Sequence, residues 1–325
     1  MRRPLRHLLG LALLVVALAG CGATSDHALD LTLDALATPA PTSKSSAVSA
    51  PVKCKNPEAS LRPPATLPAA NQMPAGSFMA KIHQQGYLVA GVNAGLYKFG
   101  YLNPATGQID GFEIDLVNEL AAAIFGTAKG HVRLVALTVP QRLPFVQDGK
   151  VDIVVDAITI TCDRRELVDF SSVYYDAQQL LMVPAGSKVA SIRALAHRRV
   201  CASAGSTPIQ VMDQMPETER PVPVGLPQAI DCLVALQQGR VDGISTDSSI
   251  LLGFKAQDPN TKIVGSSIGG VPYGMAINKN HPDFVRFVNG VLAKLEGNGT
   301  WQKLQANWLG QLGPPQSPPQ PQYDG

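Results

Sequence analysis

The densest group of chemically useful side chains lies in "AITITCDRRELVDFSSVYY", residues 157–175. A β-branched run from Ile158 to Thr161 breaks into Asp163, Arg164, Arg165 and Glu166, and two tyrosines follow. A guanidinium can capture a carboxylate through two parallel hydrogen bonds, and a carboxylate can hold an ammonium or move a proton. The stretch can therefore be a catalytic loop, a charged surface or a seat for a ligand. Catalytic patterns elsewhere are weak. "GSSIG", 265–269, fits the nucleophile pattern G-x-S-x-G, which needs an acid and then a histidine after the serine. The only later histidine is His281, and no acid lies between it and Ser267. His27, His83, His131 and His197 are scattered, and there is no CxxC or Cys/His cluster, so neither a zinc site nor another cofactor is expected. Asp156 is the one candidate acid or base for an enzymatic reading.

Two segments share one pattern 90 residues apart, "QDGKVDIVVDAIT" from Gln147 and "QQGRVDGISTDSS" from Gln237. Each follows an amphipathic helix, read from Leu143 and Val146 in one copy and from Ile230, Leu233 and Leu236 in the other. Gly149 and Gly239 stop the helices, and each Val-Asp opens a strand. Two copies of helix, glycine stop and strand predict two α/β lobes. The offset sets Ala157 in register with Asp247, each at the carboxyl end of its strand, where open α/β sheets bind ligands. Residues 157–164 and 245–248 are thus expected to face each other across a cleft.

Arg2, Arg3 and Arg6 precede an apolar run from Leu8 to Ala19, a secretory signal shorter than a membrane span of ~20 apolar residues. The run ends in "LAGC", which resembles a bacterial lipobox. Residues 1–20 therefore read as a lipoprotein signal peptide, and Cys21 as a diacylated anchor that sits on a membrane without crossing it. Removing the signal leaves 24 basic against 25 acidic residues, so no nucleic-acid partner is expected. Residues 21–76 are rich in Ala, Pro, Ser and Thr, with eight prolines between Pro39 and Pro74, and read as a flexible tether. Residues 314–325 read as a similar disordered tail. The span between them suffices for two modest lobes. Beside Cys21 remain Cys54, Cys162, Cys201 and Cys232, an even number that predicts two disulfides with three pairings open.

The ordered segments "GFEIDLVNELA", "GKVDIVVDAITITCDRRELVDFSSVYY", "AGSTP", "GRVDGISTD", "YGMAINK" and "LAKLEGNGTWQKLQANWLG" together resemble extracellular solute-binding family 3, the polar amino-acid binding proteins of ABC importers. Within it the chain is most similar to actinobacterial lipoproteins that bind glutamate, glutamine or aspartate. The resemblance implies a type II periplasmic-binding-protein fold, two α/β lobes with a two-strand hinge that close on the ligand. Lobe 1 would take residues 77–181 and 276–313 and lobe 2 residues 184–272, with crossings near "QLLMVPA" and "GGVPYGMA". It implies a monomer that hands its ligand to an ABC permease, or reports it to a membrane sensor. A periplasmic dehydratase on the same fold is the enzymatic alternative.

The same resemblance assigns residues. Arg164 takes the ligand's α-carboxylate, helped by Thr159 and, across the cleft, by Ser206 and Thr207 at a helix N-terminus. The Ala157 carbonyl, at a position that is glycine in most of the family, accepts from the α-ammonium, which Asp247 pairs. Arg142 would read a distal carboxylate, so that glutamate or aspartate is preferred. Asn93, where some acidic amino-acid binders carry an arginine, leaves room for glutamine or asparagine. Lys98 could supply the missing charge and Tyr97 would wall the pocket, while Arg165 faces solvent. For the disulfides the resemblance favours Cys201 with Cys232 in the second lobe, and Cys54 with Cys162 tying the end of the tether to the first.

Overall fold

A computed structural model describes residues 52–324; the signal, Cys21 and the tether as far as residue 51 lie outside the described residues. Strand β1 (Ser60–Leu61) leads to helix α1 (Phe78–Gln85), which Ser77 caps by accepting from the Ala80 amide. There follow β2 (Leu88–Val92), three short antiparallel strands β3 (Gly95–Leu96), β4 (Gly100–Leu102) and β5 (Ile109–Asp110), and helix α2 (Phe112–Phe125). Next come β6 (Val132–Ala136), α3 (Arg142–Gln147), β7 (Ile153–Val155), α4 (Cys162–Leu167) and β8 (Asp169–Phe170). Strand β9 (Tyr175–Pro184) leaves this lobe for a second, built from β10 (Arg199–Ser203), α5 (Thr207–Gln214), β11 (Val222–Leu226), α6 (Ala229–Gln237), β12 (Gly243–Asp247) and α7 (Ser248–Gln257). Strand β13 (Thr261–Tyr273) returns, and β14 (Ala276–Ile277), α8 (Pro282–Gly297), α9 (Thr300–Leu309) and β15 (Tyr323–Asp324) complete the first lobe.

Each lobe holds a five-stranded sheet, ordered β6-β2-β7-β14-β8 in the first and β11-β10-β12-β9-β13 in the second. All three side chains of β7 are buried, the continuous apolar run of a parallel strand covered on both faces. The repeat persists in the backbone: Gly149 and Gly239 both sit at φ 66°, ending α3 and α6 in the left-handed region that glycine enters without steric cost.

Strands β9 and β13 pair antiparallel from Tyr175 opposite Tyr273 to Pro184 opposite Thr261. The chain crosses between lobes at the tyrosine end, where the Gly274 amide donates to the Ile158 carbonyl and the Tyr174 amide to the Tyr273 carbonyl. Residues Gln179 to Met182 already pair with β12, so the first crossing precedes the "QLLMVPA" segment expected to carry it. Phe99 and Tyr175 meet edge to face here, Tyr175 stacks on Tyr273, and the Trp301 indole donates to the Tyr174 carbonyl.

Two expectations about the ends are corrected. The tether does not remain loose to residue 76. Ala59 and Ser60 are buried, Asn289 donates to the Ser60 hydroxyl and the Leu61 carbonyl, and the Asn71 amide donates to the Ile124 carbonyl. Residues 314–324 are not a disordered tail either, because β15 pairs in parallel with β1 and Gln322 bonds Asn56 and Glu58. A proline-rich chain cannot build a core of its own, but it can lie extended on a finished one and bury side chains singly. Both disulfides form, Cys54 with Cys162 and Cys201 with Cys232. Among the described residues no helix is long and apolar enough to cross a membrane.

Candidate functional site

The carboxyl ends of β7 and β12 meet at a nearly closed cavity with about 30 Å³ of room for solvent. The first lobe lines it with Asn93, Arg142, Asp156, Ala157, Thr159 and Arg164, and the second with Ser203, Ser206, Thr207, Thr246 and Asp247. A wider groove between Pro63–Ala70 and α8 carries only Glu119 and Lys294 as charged lining and lacks such convergence of polar groups.

Arg164 rides on α4, whose first turn is capped by the Thr161 hydroxyl. Its Nη1 donates to the Thr159 carbonyl at 2.8 Å and its Nη2 to the Gly205 carbonyl of the opposite lobe at 3.2 Å. Burial, then the neighbouring Arg142 charge, pushes the guanidinium down to about 9, which leaves it protonated at neutral pH. The Thr159 and Thr207 hydroxyls stand 3.2 Å apart across the cleft.

Ser206 and Asp247 occupy the N-cap positions of α5 and α7, yet neither side chain bonds its own helix. The Ser206 hydroxyl is buried without a partner. Asp247 accepts from the Tyr273 hydroxyl at 2.7 Å, and burial pushes its carboxyl up to about 6. Both residues thus forgo ordinary capping and line the cavity.

Arg142, in the first turn of α3, donates Nε to the Val139 carbonyl and Nη1 to the Asp156 carbonyl at 2.7 Å; the Ala157 carbonyl lies 3.5 Å from the same Nη1. Ala157 itself sits at φ 43°, and its amide donates to Glu113 Oε1 at 2.7 Å. Asn93 donates to Asp156 Oδ1 at 3.0 Å and to Gln228 Oε1 of the second lobe at 3.3 Å, while its own oxygen accepts from the Gly95 amide.

Tyr97 and Lys98 are not brought into the cavity. Lys98 occupies a turn at φ 68°, and its ammonium lies over the rings of Tyr97 and Trp308, at 5.4 and 5.6 Å. The Lys98 ammonium thus lies against α9, while the backbone and Cβ of Tyr97 pack beside Gly253 of α7. Arg165 is also outside the cavity, but it donates to the Pro57 carbonyl and pins the N-terminal segment rather than facing solvent alone.

Two participants escaped sequence reasoning. Glu113, at the second position of α2, is fully buried beneath the cavity and accepts from the Tyr174 hydroxyl as well as the Ala157 amide. Burial, with the Asp156 charge beside it, pushes its carboxyl up to about 7. An acid in a first helical turn reads as a match to the helix dipole, so nothing in the sequence marks it as buried. Gln228 reaches back to Asn93 and to the Leu137 carbonyl, latching one lobe to the other.

The ion pairs found among the described residues all lie elsewhere on the exposed surface, so no carboxylate comes within 4.0 Å of Arg142 or Arg164. Two guanidiniums and two carboxylates are thus buried around one cavity and kept apart. Such charges need partners, and a ligand carrying both signs supplies them. Two sheets joined by paired crossing strands, with this cleft between them, define a binding protein of the type II periplasmic class. The chain belongs to the bacterial extracellular solute-binding proteins, family 3, whose family model matches residues 88–311. It is 32% identical over 233 residues to the ABC transporter glutamine-binding protein of Bacillus subtilis, covering 71% of this chain and 84% of that one. It is 23% identical over 251 residues to the glutamate/aspartate import solute-binding protein of Escherichia coli, covering 75% and 83%. An ancestral arginine-binding protein solved with glutamine superposes with a TM-score of 0.64 at 29% identity, over 69% of this chain and 98% of that one. The protein is a solute-binding protein and not an enzyme.

Proposed function

We propose that this protein closes on a polar L-amino acid with an acid or amide side chain, of the glutamate, aspartate, glutamine and asparagine set, and presents it to an ABC importer. The single observation that carries this reading is the pair of opposed poles: Arg164 with Thr159, Ser206 and Thr207 for an α-carboxylate, and Asp247 for an α-ammonium. Arg142 suits a carbonyl oxygen further along the side chain, and the relatives named for glutamine and for glutamate and aspartate agree with that range. Residues 1–20 act as an export signal and Cys21 as the lipid attachment point on the outer face of the cell membrane; Cys21→Ser should move the protein from the membrane fraction to the medium.

Titration calorimetry of the purified protein against the twenty amino acids tests the reading, which fails if no acid or amide amino acid binds. Arg164→Ala should lose at least about a hundredfold in affinity for every ligand, because one buried charge then lacks its partner.

A further inference from the structure

Asp156 stands at the end of β7, lines the cavity and is 1% exposed. Its Oδ1 accepts from Asn93, whereas its Oδ2 has no hydrogen-bond partner. A buried carboxylate oxygen left unsatisfied is costly, and because Asp156 lines the cavity a ligand held there can supply the donor. Asn93 has both N–H groups engaged, on Asp156 and Gln228, so its work is to hold Asp156 in place. Gln228 belongs to the second lobe, hence that support is complete only when the lobes meet.

Arg142 shares this wall. Its Nε and Nη1 are engaged on backbone carbonyls, and its Nη2 makes no hydrogen bond among the described residues. The wall therefore offers one donor and one acceptor, held apart by more than ion-pair distance. An amide side chain matches that pair: its oxygen accepts from Arg142 and its N–H donates to Asp156. A carboxylate side chain matches only half, because its second oxygen would face the Asp156 carboxylate, and two anions sharing a buried site repel. A guanidinium or ammonium side chain would satisfy Asp156 but meet the charge of Arg142.

Resting on the reading of this cleft as an amino-acid site, we propose that Asp156 is the specificity-determining residue, accepting a hydrogen bond from the ligand's side-chain amide so that glutamine or asparagine is preferred to glutamate and aspartate at neutral pH. The preference that Arg142 alone suggested is thereby reversed.

Calorimetry at pH 7.5 with glutamine, asparagine, glutamate, aspartate and arginine, on the wild-type protein and on Asp156→Asn, tests this. In the wild type the better amide should bind at least about tenfold tighter than its acid counterpart, the value of one hydrogen bond to a charged group. Asp156→Asn, which keeps the shape and removes the charge, should lose about tenfold for the amide and hold or gain for the acid. Tighter wild-type binding of glutamate, aspartate or arginine overturns the proposal while leaving the amino-acid reading intact, as does an unchanged ratio in the variant. Absence of binding by all five removes both. The wild-type ratio decides even if the variant unfolds, and a thermal melt of the variant reports whether it has.

Discussion

Ala157 holds a left-handed backbone conformation that a side chain makes costly, at the position where its amide must reach Glu113 and its carbonyl must face Arg142. Ala157→Gly removes the steric cost and adds freedom to the unfolded chain, for a net gain of about 0.5–1 kcal/mol. Chemical denaturation reads the change directly; a loss would mean that the alanine methyl contributes more by packing than its backbone costs. That Arg164, Thr159 and Asp247 meet at one cavity was legible at this scale, because each sits in a motif whose chemistry is local. Glu113 was not, since its burial depends on Tyr174, which is 61 residues away in the chain. Tyr97 and Lys98 line no part of the cavity, because Lys98 lies over Trp308 and Tyr97 packs beside Gly253, contacts that their residue types do not announce.

Among elements, α4 is held at both ends. The Cys54–Cys162 bond fixes its first residue, the Val52 amide donates to the Asp163 side chain, and Lys279 donates to the carbonyls of Arg165 and Glu166. Replacing Cys54 and Cys162 by serine should cost about 2–4 kcal/mol, measured by denaturant unfolding, and should open residues 52–76 to protease first. Undiminished resistance in that segment would show that the docked side chains hold it without the bond. The helix, glycine and strand repeat was readable because period and punctuation are properties of neighbouring residues. The docked N-terminal segment was not, because its composition is that of a linker and its order comes from grooves elsewhere, such as Leu67 against Gly290.

At the scale of the whole molecule, Glu113, Asp156 and Asp247 are buried acids gathered at the meeting of the lobes, each raised chiefly by burial, to about 7, 6 and 6. A raised acid adds stability below its ordinary range and loses it as pH climbs through the folded value. The unliganded protein should therefore melt higher at pH 5 than at pH 8, as scanning calorimetry would show, with the slope concentrated between about pH 4 and 7, from the ordinary carboxylate range up to the folded values. Ligand affinity should run the other way, falling below about pH 6, because Asp247 must be ionised to hold an ammonium; flat affinity from pH 8 to 5 would remove that role. The pairing of β1 with β15 bears on mechanics as well. From Val52 to Asn71 the chain bonds only to the first lobe, through Cys162, Asp163, Phe170, Asn289 and Ile124, and β15 closes on the same side. A pull on either end of this body is carried as shear within one jaw. The path of such a pull does not run through the second lobe, which joins the first by two tyrosine-flanked strands.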